Sequence, residues 1–405
     1  MENSIAKSNS YRWVVMLAFM AAVAVNQLLW ITYAPVTSAA ADFYQVDTLS
    51  IGFLSMVFMI VFIFISIPAS WIIDRFGIRI GVGIGVVLTG FFGLVRGFAG
   101  NNYGFALFAQ VMLAIGQPFI LNAITSVAAR WFPADERATA SGLGSLSIYL
   151  GILAGMLVSP LLATKFGISR MLFIYGIVSL LPVILFFLFV KERPVDSEGS
   201  KEPDVRSLMF DGLKETFKNS NFRMLLAVFF VGLGVFNAVT TWIEDLLKPR
   251  GFSIAQAGFT GGMMIIGGII GAVLLPALSD KTKKRVPFLL AAVLGAAVGL
   301  AGVTYSNNYI LLLASAFVLG FFLLSAGPIG FQYGAEITSP VPEGTSNGLL
   351  LLMGQISGIL FIFGMEMLKS PETGSMSLSM NILLGLMLVA LFISTQLKEP
   401  SPAKT

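Results

Sequence analysis

The sequence predicts an all-α membrane protein of twelve transmembrane helices in two pseudo-symmetric six-helix bundles. Of its 405 residues, 56% are hydrophobic and only 11% are charged, whereas about a quarter of a soluble chain is charged. Apolar runs of about 20 residues, the length that crosses the hydrocarbon core, recur along the whole chain. One long polar stretch, residues 191–223, separates six such runs from six more.

The apolar runs give the order of the predicted spans. The first run is too long for a cleaved signal peptide, so we interpret it as the first membrane helix. We expect residues 1–190 to form an N-terminal bundle, 191–221 a cytoplasmic linker with a surface amphipathic segment, and 222–405 a C-terminal bundle. The spans are expected at 13–37, 48–73, 80–98, 103–129, 138–163, 169–190, 222–247, 254–278, 286–304, 308–337, 344–368 and 377–396.

The lysines and arginines predict the orientation. With both termini cytoplasmic, nineteen of the 25 lie in cytoplasmic segments and six, among them Arg96 and Lys369, in outer segments. This bias follows the positive-inside rule. We therefore expect a multi-pass protein of the inner or plasma membrane, whose net charge of +4 reflects topology and not a nucleic-acid partner.

The chain has no cysteine and no histidine. It therefore lacks the usual general base, the commonest metal ligand and any thiolate metal site. We expect no enzymatic activity, no cofactor and no metal.

Two loops carry related charged motifs, which indicates an internal repeat. DRFGIR follows the second span and DKTKKR follows the eighth. The pattern Asp-Arg-x-Gly-x-Arg resembles the signature of the major facilitator superfamily, whose members are twelve-helix transporters. The resemblance covers the whole chain and implies a central cavity between the halves and alternating access. It also implies a cytoplasmic gating motif at Asp74, Arg75, Gly77, Arg79, Asp280, Lys281 and Arg285.

Several stretches resemble a narrower group, the feline leukaemia virus subgroup C receptor-related (FLVCR) family. They are WITYAPVTSAAADFY in the first span, QVMLAIGQPFI in the fourth, and GFFLLSAGPIGFQYGAEITSPVPEGTSNGLLLLMGQISGILF at 320–361. GVFNAVTTWIEDLL in the seventh span matches more loosely. Members of the family are transporters linked to choline and ethanolamine, with an older proposal of haem export.

The resemblance implies a cation cage of a tryptophan in the first span and a tyrosine in the seventh, with a glutamine in the fourth span that addresses the polar end of the substrate. The tryptophan falls on Trp30 and this glutamine on Gln117, and a further glutamine, in the eleventh span, falls on Gln355. Asn237 stands at the position of the tyrosine. Many facilitators have an arginine where this chain has Gln110, and its absence argues against an anionic substrate held by a buried guanidinium.

The residues themselves support a polar path in the first span. Trp30 lies near or past the midplane, and Asn26 and Tyr33 lie within a turn of it on the same helix. An indole face holds a quaternary ammonium well, although tryptophan also concentrates at membrane interfaces. Gln110 and Gln117 share a helical face, and either amide could instead join helices. We favour substrate contact for Gln117 and helix packing for Gln110.

Carboxylates are candidates for ion coupling. Glu244 lies two turns beyond Asn237 on the same helical face, and it could bind a cation or replace the missing tyrosine of the cage electrostatically. Glu336 lies near the end of the tenth span. Ionisable groups inside a membrane are functional candidates, but groups near span ends can also reach water.

These observations predict a secondary-active or facilitative transporter of a small polar, cationic organic solute resembling choline or ethanolamine. We expect it to act as a monomer with the lipid bilayer and a small-molecule substrate as its partners. Two alternatives stay open: a broad-specificity exporter of lipophilic compounds, and a transporter-like receptor or sensor. Small residues spaced three or four apart at 142–155 and 261–272 predict surfaces for close helix packing and gating.

Overall fold

The computed structural model describes residues 2–133, 135–192, 216–339, 341 and 343–400, and these residues form helices joined by short loops. Most of the predicted linker lies outside them. The chain divides into two compact units, Met1–Glu198 and Gly199–Thr405. In the first unit the helices are α1 (Glu2–Ile31), α2 (Thr37–Tyr44), α3 (Thr48–Phe76), α4 (Ile78–Gly97), α5 (Tyr103–Leu121), α6 (Ile124–Trp131) and α7 (Arg137–Phe189).

The second unit repeats this pattern of long helices and short breaks. Its helices are α8 (Ser220–Thr241), α9 (Ile243–Leu247), α10 (Ile254–Thr282), α11 (Val286–Tyr305), α12 (Tyr309–Thr338), α13 (Glu343–Met367) and α14 (Ser377–Ser394). Short 3-10 helices follow α1 and α9, at Ala34–Val36 and Lys248–Arg250.

Eleven helical segments of the described residues are long and apolar enough to cross a membrane. The 53-residue α7 accounts for two crossings, because at 1.5 Å per residue it extends about 80 Å and the hydrocarbon core is about 30 Å thick. Gly167 divides it with a non-helical φ of 79° and ψ of 165°. The twelve predicted spans are thereby confirmed.

Three spans of the described structure are interrupted near their ends. The first breaks between Ile31 and Thr37 around Pro35, the fourth after Leu121, and the seventh at Trp242. Proline removes a backbone donor and crowds the preceding turn, which explains the first break. Pro328, by contrast, lies within an uninterrupted α12.

Close glycine contacts join pairs of helices within each unit. A Cβ added at Gly271 of α10 would overlap the Phe321 carbonyl of α12, and one at Gly320 of α12 would overlap the Met264 carbonyl of α10. Helices in lipid associate through such close backbone approach. The predicted packing role of the glycine-rich stretch at 261–272 is confirmed.

Each unit has a buried core and an apolar outer surface. Phe19 and Phe186 belong to the core of the first unit, and Phe222 and Tyr333 to that of the second. Large apolar side chains remain outward, such as Phe392 with 68% of its surface exposed. Outward aromatic side chains suit contact with lipid tails and would be costly in water.

Candidate functional site

Trp30 lies in the last turn of α1, directly before the break of the first span. Its side chain is buried, and its indole Nε1 donates a hydrogen bond to the Ser55 carbonyl of α3 over 3.3 Å. Because α1 ends at Ile31, the chain leaves the helix one residue after Trp30. The tryptophan therefore lies at the end of α1 and is held against α3 by its indole hydrogen bond.

Asn26 lies one turn before Trp30 and is fully buried. Its Nδ2 donates to Thr89 Oγ1 of α4 over 3.1 Å, and its Oδ1 accepts from Gln27 Nε2 over 3.2 Å. The amide that the sequence offered as a substrate ligand thus joins two helices of the unit. Its hydrogen-bonding capacity is largely used inside the protein.

Tyr33 follows the break and is also buried, with 1% of its surface exposed. Its hydroxyl lies 3.1 Å from the hydroxyl of Tyr44 on α2, and the Arg96 guanidinium lies 5.4 Å from its ring centroid. The structure therefore places Tyr33 in a packed cluster beside Trp30.

Arg96 is the main residue that the sequence analysis missed. It was counted as an outer-loop charge, but it is fully buried in the last turn of α4. Its Nη1 donates to the Leu29 carbonyl over 2.9 Å and to Gln110 Oε1 over 2.8 Å. The sequence analysis argued against a guanidinium-held anion from the absence of an arginine at Gln110, but α4 supplies a buried guanidinium beside Gln110. Its position inside the apolar run GFFGLVRGFAG was the available signal.

The two glutamines of α5 have different surroundings. Gln110 is fully buried, accepts from Arg96 and donates from Nε2 to the Leu54 carbonyl over 3.1 Å, in agreement with helix packing. Gln117 lies two turns further on, immediately before Pro118, and is 7% exposed. Among the described residues, no hydrogen bond engages its side chain. Its amide is therefore available to a ligand.

In the second unit, Asn237 lies beside α13. Its Nδ2 donates to the Gly354 carbonyl over 3.1 Å, and Gly354 directly precedes Gln355. The structure thus brings together the two C-terminal residues that the sequence analysis singled out. Both side chains are partly exposed.

Glu244 does not share a helical face with Asn237. The helix ends at Thr241, Trp242 has φ −97° and ψ 19°, and Glu244 belongs to the separate short helix α9. The prediction that the two residues share a face is wrong because the seventh span breaks between them. Glu244 is nevertheless buried, with 1% of its surface exposed.

An ion cluster lies next to this break. Lys369 Nζ approaches Asp245 Oδ1 at 2.8 Å and Glu366 Oε1 at 3.3 Å, and it lies 5.9 Å from the ring centroid of Trp242. Burial acts to lower the pKa of the Lys369 ammonium, but the carboxylates of Asp245 and Glu366 outweigh it, so the pKa is raised above its ordinary value. The cluster links the start of α9 to the end of α13.

The first charged loop forms a capped turn. Gly77 has a φ of 85°, and a Cβ there would overlap the Glu192 carboxylate. Glu192 follows α7, accepts from the backbone N–H of Arg79 over 2.8 Å, and pairs with Arg130 over 2.6 Å. A carboxylate at a helix N-terminus satisfies an otherwise unpaired donor and complements the helix dipole.

The second charged loop repeats this arrangement. Lys283 has a left-handed φ of 54°, and Glu399, after α14, accepts from the backbone N–H groups of Arg285 over 3.1 Å and Val286 over 3.0 Å. The Arg285 side chain pairs with Asp280 and also binds Glu336 at 3.0 Å. The sequence analysis found the two motifs but missed the glutamates that cap them, in VKE and LKE after the sixth and twelfth spans.

The whole-chain pattern agrees with a known family. Residues 15–362 match the model of the Major Facilitator Superfamily. The chain belongs to this superfamily of membrane transporters. It is a multi-pass membrane protein with the fold of that family.

Relatives extend this assignment. The chain is 29% identical to Solute carrier family 49 member A3 of Xenopus tropicalis, over 89% of this chain and 78% of the relative. It is 28% identical to Choline/ethanolamine transporter FLVCR2 of Homo sapiens, over 99% of this chain and 80% of the relative. The resemblance to the FLVCR family is thereby confirmed.

Solved structures support the fold. A bacterial homolog of the human lysosomal transporter Spinster matches with a TM-score of 0.78 and 16% identity, over 97% of this chain and 99% of that one. The nucleoside transporter NupG matches with a TM-score of 0.75 and 14% identity, over 95% and 99%.

Proposed function

We propose that the protein carries a small polar, cationic organic solute of the choline or ethanolamine type across the membrane by alternating access. FLVCR2 relatives are named choline/ethanolamine transporters, and this supports the solute class. Trp30 would hold the cationic group on its indole face, an interaction of about 2 kcal/mol when desolvated.

The observation that carries the proposal is the amide of Gln117. A buried polar side chain normally finds a partner inside the protein, and Gln110 on the same helix does so. Gln117 is 7% exposed and has no such partner among the described residues. We assign its amide to the polar end of the solute. Asn237 and Gln355 are the proposed contacts from the C-terminal unit.

Asn26 and Tyr33 have a different part in this proposal. Their polar atoms bond to Thr89 and Tyr44, so they hold the helices that carry Trp30. They would hold Trp30 in place without contacting the solute.

The charged loops with Asp74 and Asp280 form the proposed gating motif, because their ion pairs and caps can hold helix ends together.

The proposal is tested by uptake of labelled choline and ethanolamine into proteoliposomes that contain the purified protein. We expect saturable uptake whose apparent KM rises about 30-fold in Trp30→Ala, the equivalent of about 2 kcal/mol. Trp13→Ala on the same helix is the matched control and should leave the KM unchanged. Normal uptake by Trp30→Ala, or no uptake of either amine by the unaltered protein, would contradict the proposal.

Ion coupling is tested in the same vesicles with an imposed pH gradient. Facilitated transport without coupling predicts that the gradient has no effect on the initial rate. If the gradient drives uptake, Glu244 and Glu336 are the proposed coupling carboxylates. Glu244 is the stronger candidate because it is buried, with 1% of its surface exposed, whereas the Glu336 side chain is 29% exposed. Glu244→Gln should then abolish the gradient effect.

A further inference from the structure

A buried arginine, Arg96, bonds to residues that lie before and after Trp30 in the sequence. Arg96 donates from Nη1 to the Leu29 carbonyl and from Nη2 to Thr32 Oγ1 over 3.2 Å. Its guanidinium also lies against the ring of Tyr33. The residues immediately before and shortly after Trp30 are therefore fixed by one side chain from α4.

The charge of Arg96 is compensated without a carboxylate among the described residues. α1 ends at Ile31, so the carbonyls of its last turn lack partners in the helix and form the negative end of its dipole. The Leu29 carbonyl is one of them. Gln110 Oε1 supplies a further acceptor, and the Tyr33 ring supplies a π face. The two terminal nitrogens of the guanidinium are thus satisfied at the end of a broken helix, while its buried Nε has no hydrogen-bond partner among the described residues.

Gln110 extends this contact to α3. It accepts from Arg96 and donates to the Leu54 carbonyl, and the indole of Trp30 donates to the neighbouring Ser55 carbonyl. Two successive carbonyls of α3 therefore accept hydrogen bonds, one from the Trp30 indole and one from Gln110, the residue that binds Arg96. This arrangement fixes Trp30 relative to α1, α3, α4 and α5 together.

We propose that Arg96 is a positioning residue that holds the broken end of the first span and, through it, the indole of Trp30. The inference rests on the proposed function insofar as Trp30 contacts the solute. Arg96 is fully buried, so it acts through Trp30 and not by touching the solute. Lysine cannot replace it, because an ammonium lacks the planar fork that reaches several acceptors at once.

A double-mutant cycle tests this action through Trp30. Arg96→Lys keeps the charge, and we expect it to raise the apparent KM for choline about tenfold while the maximal rate per folded protein changes less than twofold. In a Trp30→Ala background, Arg96→Lys should raise the KM no further. Arg250→Lys is the matched control, because Arg250 also donates to a carbonyl, that of Val303, and lies 5.6 Å from the ring centroid of Phe252. It should leave the KM unchanged.

A readout without solute separates this inference from the proposed function. Hydrogen exchange of the backbone amides in residues 25–44, measured on the monodisperse folded fraction, should be at least tenfold faster in Arg96→Lys and unchanged in Arg250→Lys. If Arg96→Lys proves too unstable, Thr32→Val, which removes one Arg96 acceptor, should show the same change more weakly.

The outcomes are distinct. Unchanged exchange at 25–44 in both Arg96→Lys and Thr32→Val overturns the positioning role, whatever uptake shows. Additive effects of Trp30→Ala and Arg96→Lys on the KM overturn the action through Trp30. Faster exchange together with normal uptake by Trp30→Ala supports the positioning role and contradicts only the proposed function.

Discussion

At the scale of single residues, amides in apolar helices differ by the partners they find. Gln110 and Gln117 have the same chemistry and lie two turns apart on α5, yet only Gln110 is bonded to neighbouring helices among the described residues. In a membrane, an interhelical hydrogen bond of this kind is worth about 0.6–2 kcal/mol. The same substitution at the two positions should therefore affect different properties.

Gln110→Ala should lower stability, because it removes the bond to the Leu54 carbonyl and one acceptor of the buried Arg96. We expect a loss of about 2 kcal/mol, since bonds to charged groups are worth about 1.5–3 kcal/mol. Thermal unfolding of the purified protein in detergent measures this loss. Gln396→Ala, at an exposed glutamine, is the control. An unfolding midpoint in Gln110→Ala equal to that of the control would show that these bonds contribute nothing.

Gln117→Ala should keep the unfolding midpoint and weaken transport. The loss of one neutral hydrogen bond to the solute, about 1 kcal/mol, corresponds to roughly a fivefold higher apparent KM. Proteoliposome uptake at several choline concentrations measures it. A lower unfolding midpoint with an unchanged KM would assign Gln117 to packing instead.

The contribution of Lys369 to stability should depend on pH. Its pKa in the folded protein is raised by Asp245 and Glu366 against the effect of burial. A raised pKa means that the ammonium stabilises the folded state fully below its unfolded pKa, about 10.4, and that this contribution is lost as the pH rises through the folded value. The stability difference between the unaltered protein and Lys369→Gln should therefore be constant from pH 7 to 9 and shrink above about pH 10.5. Unfolding midpoints measured across this range test it, and a difference that grows with pH would contradict it.

At the scale of helices, the length and composition of the apolar runs predicted the spans but not the positions at which three of them break. Pro35 marks the first break, but Pro328 leaves α12 continuous. The seventh span breaks at Trp242 without a proline in α8, and no local signal in the sequence marked this position. Backbone propensity alone does not decide such breaks, since neighbouring helices can satisfy freed backbone groups.

Glycine contacts between α10 and α12 give a prediction at this scale. Gly271→Ala places a Cβ against the Phe321 carbonyl, and the helices must separate because backbone cannot yield as a flexible side chain can. We expect a destabilisation of about 1–3 kcal/mol, typical of overpacking. Gly364→Ala in α13, where a Cβ meets no atom within 4 Å, is the matched control. Equal unfolding midpoints for the two variants would contradict this account of the packing.

The candidate site was predictable only in part from the sequence. Trp30 and Gln117 were predicted from the family resemblance and from the polar residues in their apolar runs. Such residues are costly in lipid and are therefore candidates for a functional role. Arg96 was counted as a loop charge, and the ion pairs of Lys369 were missed, because charge counting ignores side-chain direction. Their partners lie far away in sequence: Arg96 bonds to Leu29, and Lys369 bonds to Asp245. Such pairings depend on the packing of helices, which periodicity does not encode.

At the scale of the whole molecule, the two units carry the same capped turn. A left-handed residue follows the charged helix end in each, and a glutamate after the last helix of the unit accepts from the backbone N–H of the motif arginine. The repeat extends beyond the recognised motifs to Glu192 and Glu399. Each glutamate closes its own unit by joining the last helix to the start of the third membrane span of that unit.

Because each cap bonds within its own unit, their contributions to stability should be independent. A carboxylate at a helix N-terminus is worth about 0.5–2 kcal/mol, and a partly exposed ion pair such as Glu192–Arg130 adds up to about 1 kcal/mol. At about 2–4 °C per kcal/mol for units of this size, Glu399→Ala should lower the unfolding midpoint by about 1–8 °C and Glu192→Ala by about 1–12 °C.

The double variant tests this independence. Distant sites without shared partners add to within about 0.5 kcal/mol, so in urea titrations its loss should equal the sum of the two single losses. Glu372→Ala, at an exposed glutamate, should leave stability unchanged. If the double variant is as stable as the less stable of the two single variants, the loss of one cap already removes the stabilisation by the other. The assignment of each cap to the stability of its own unit alone would then be wrong.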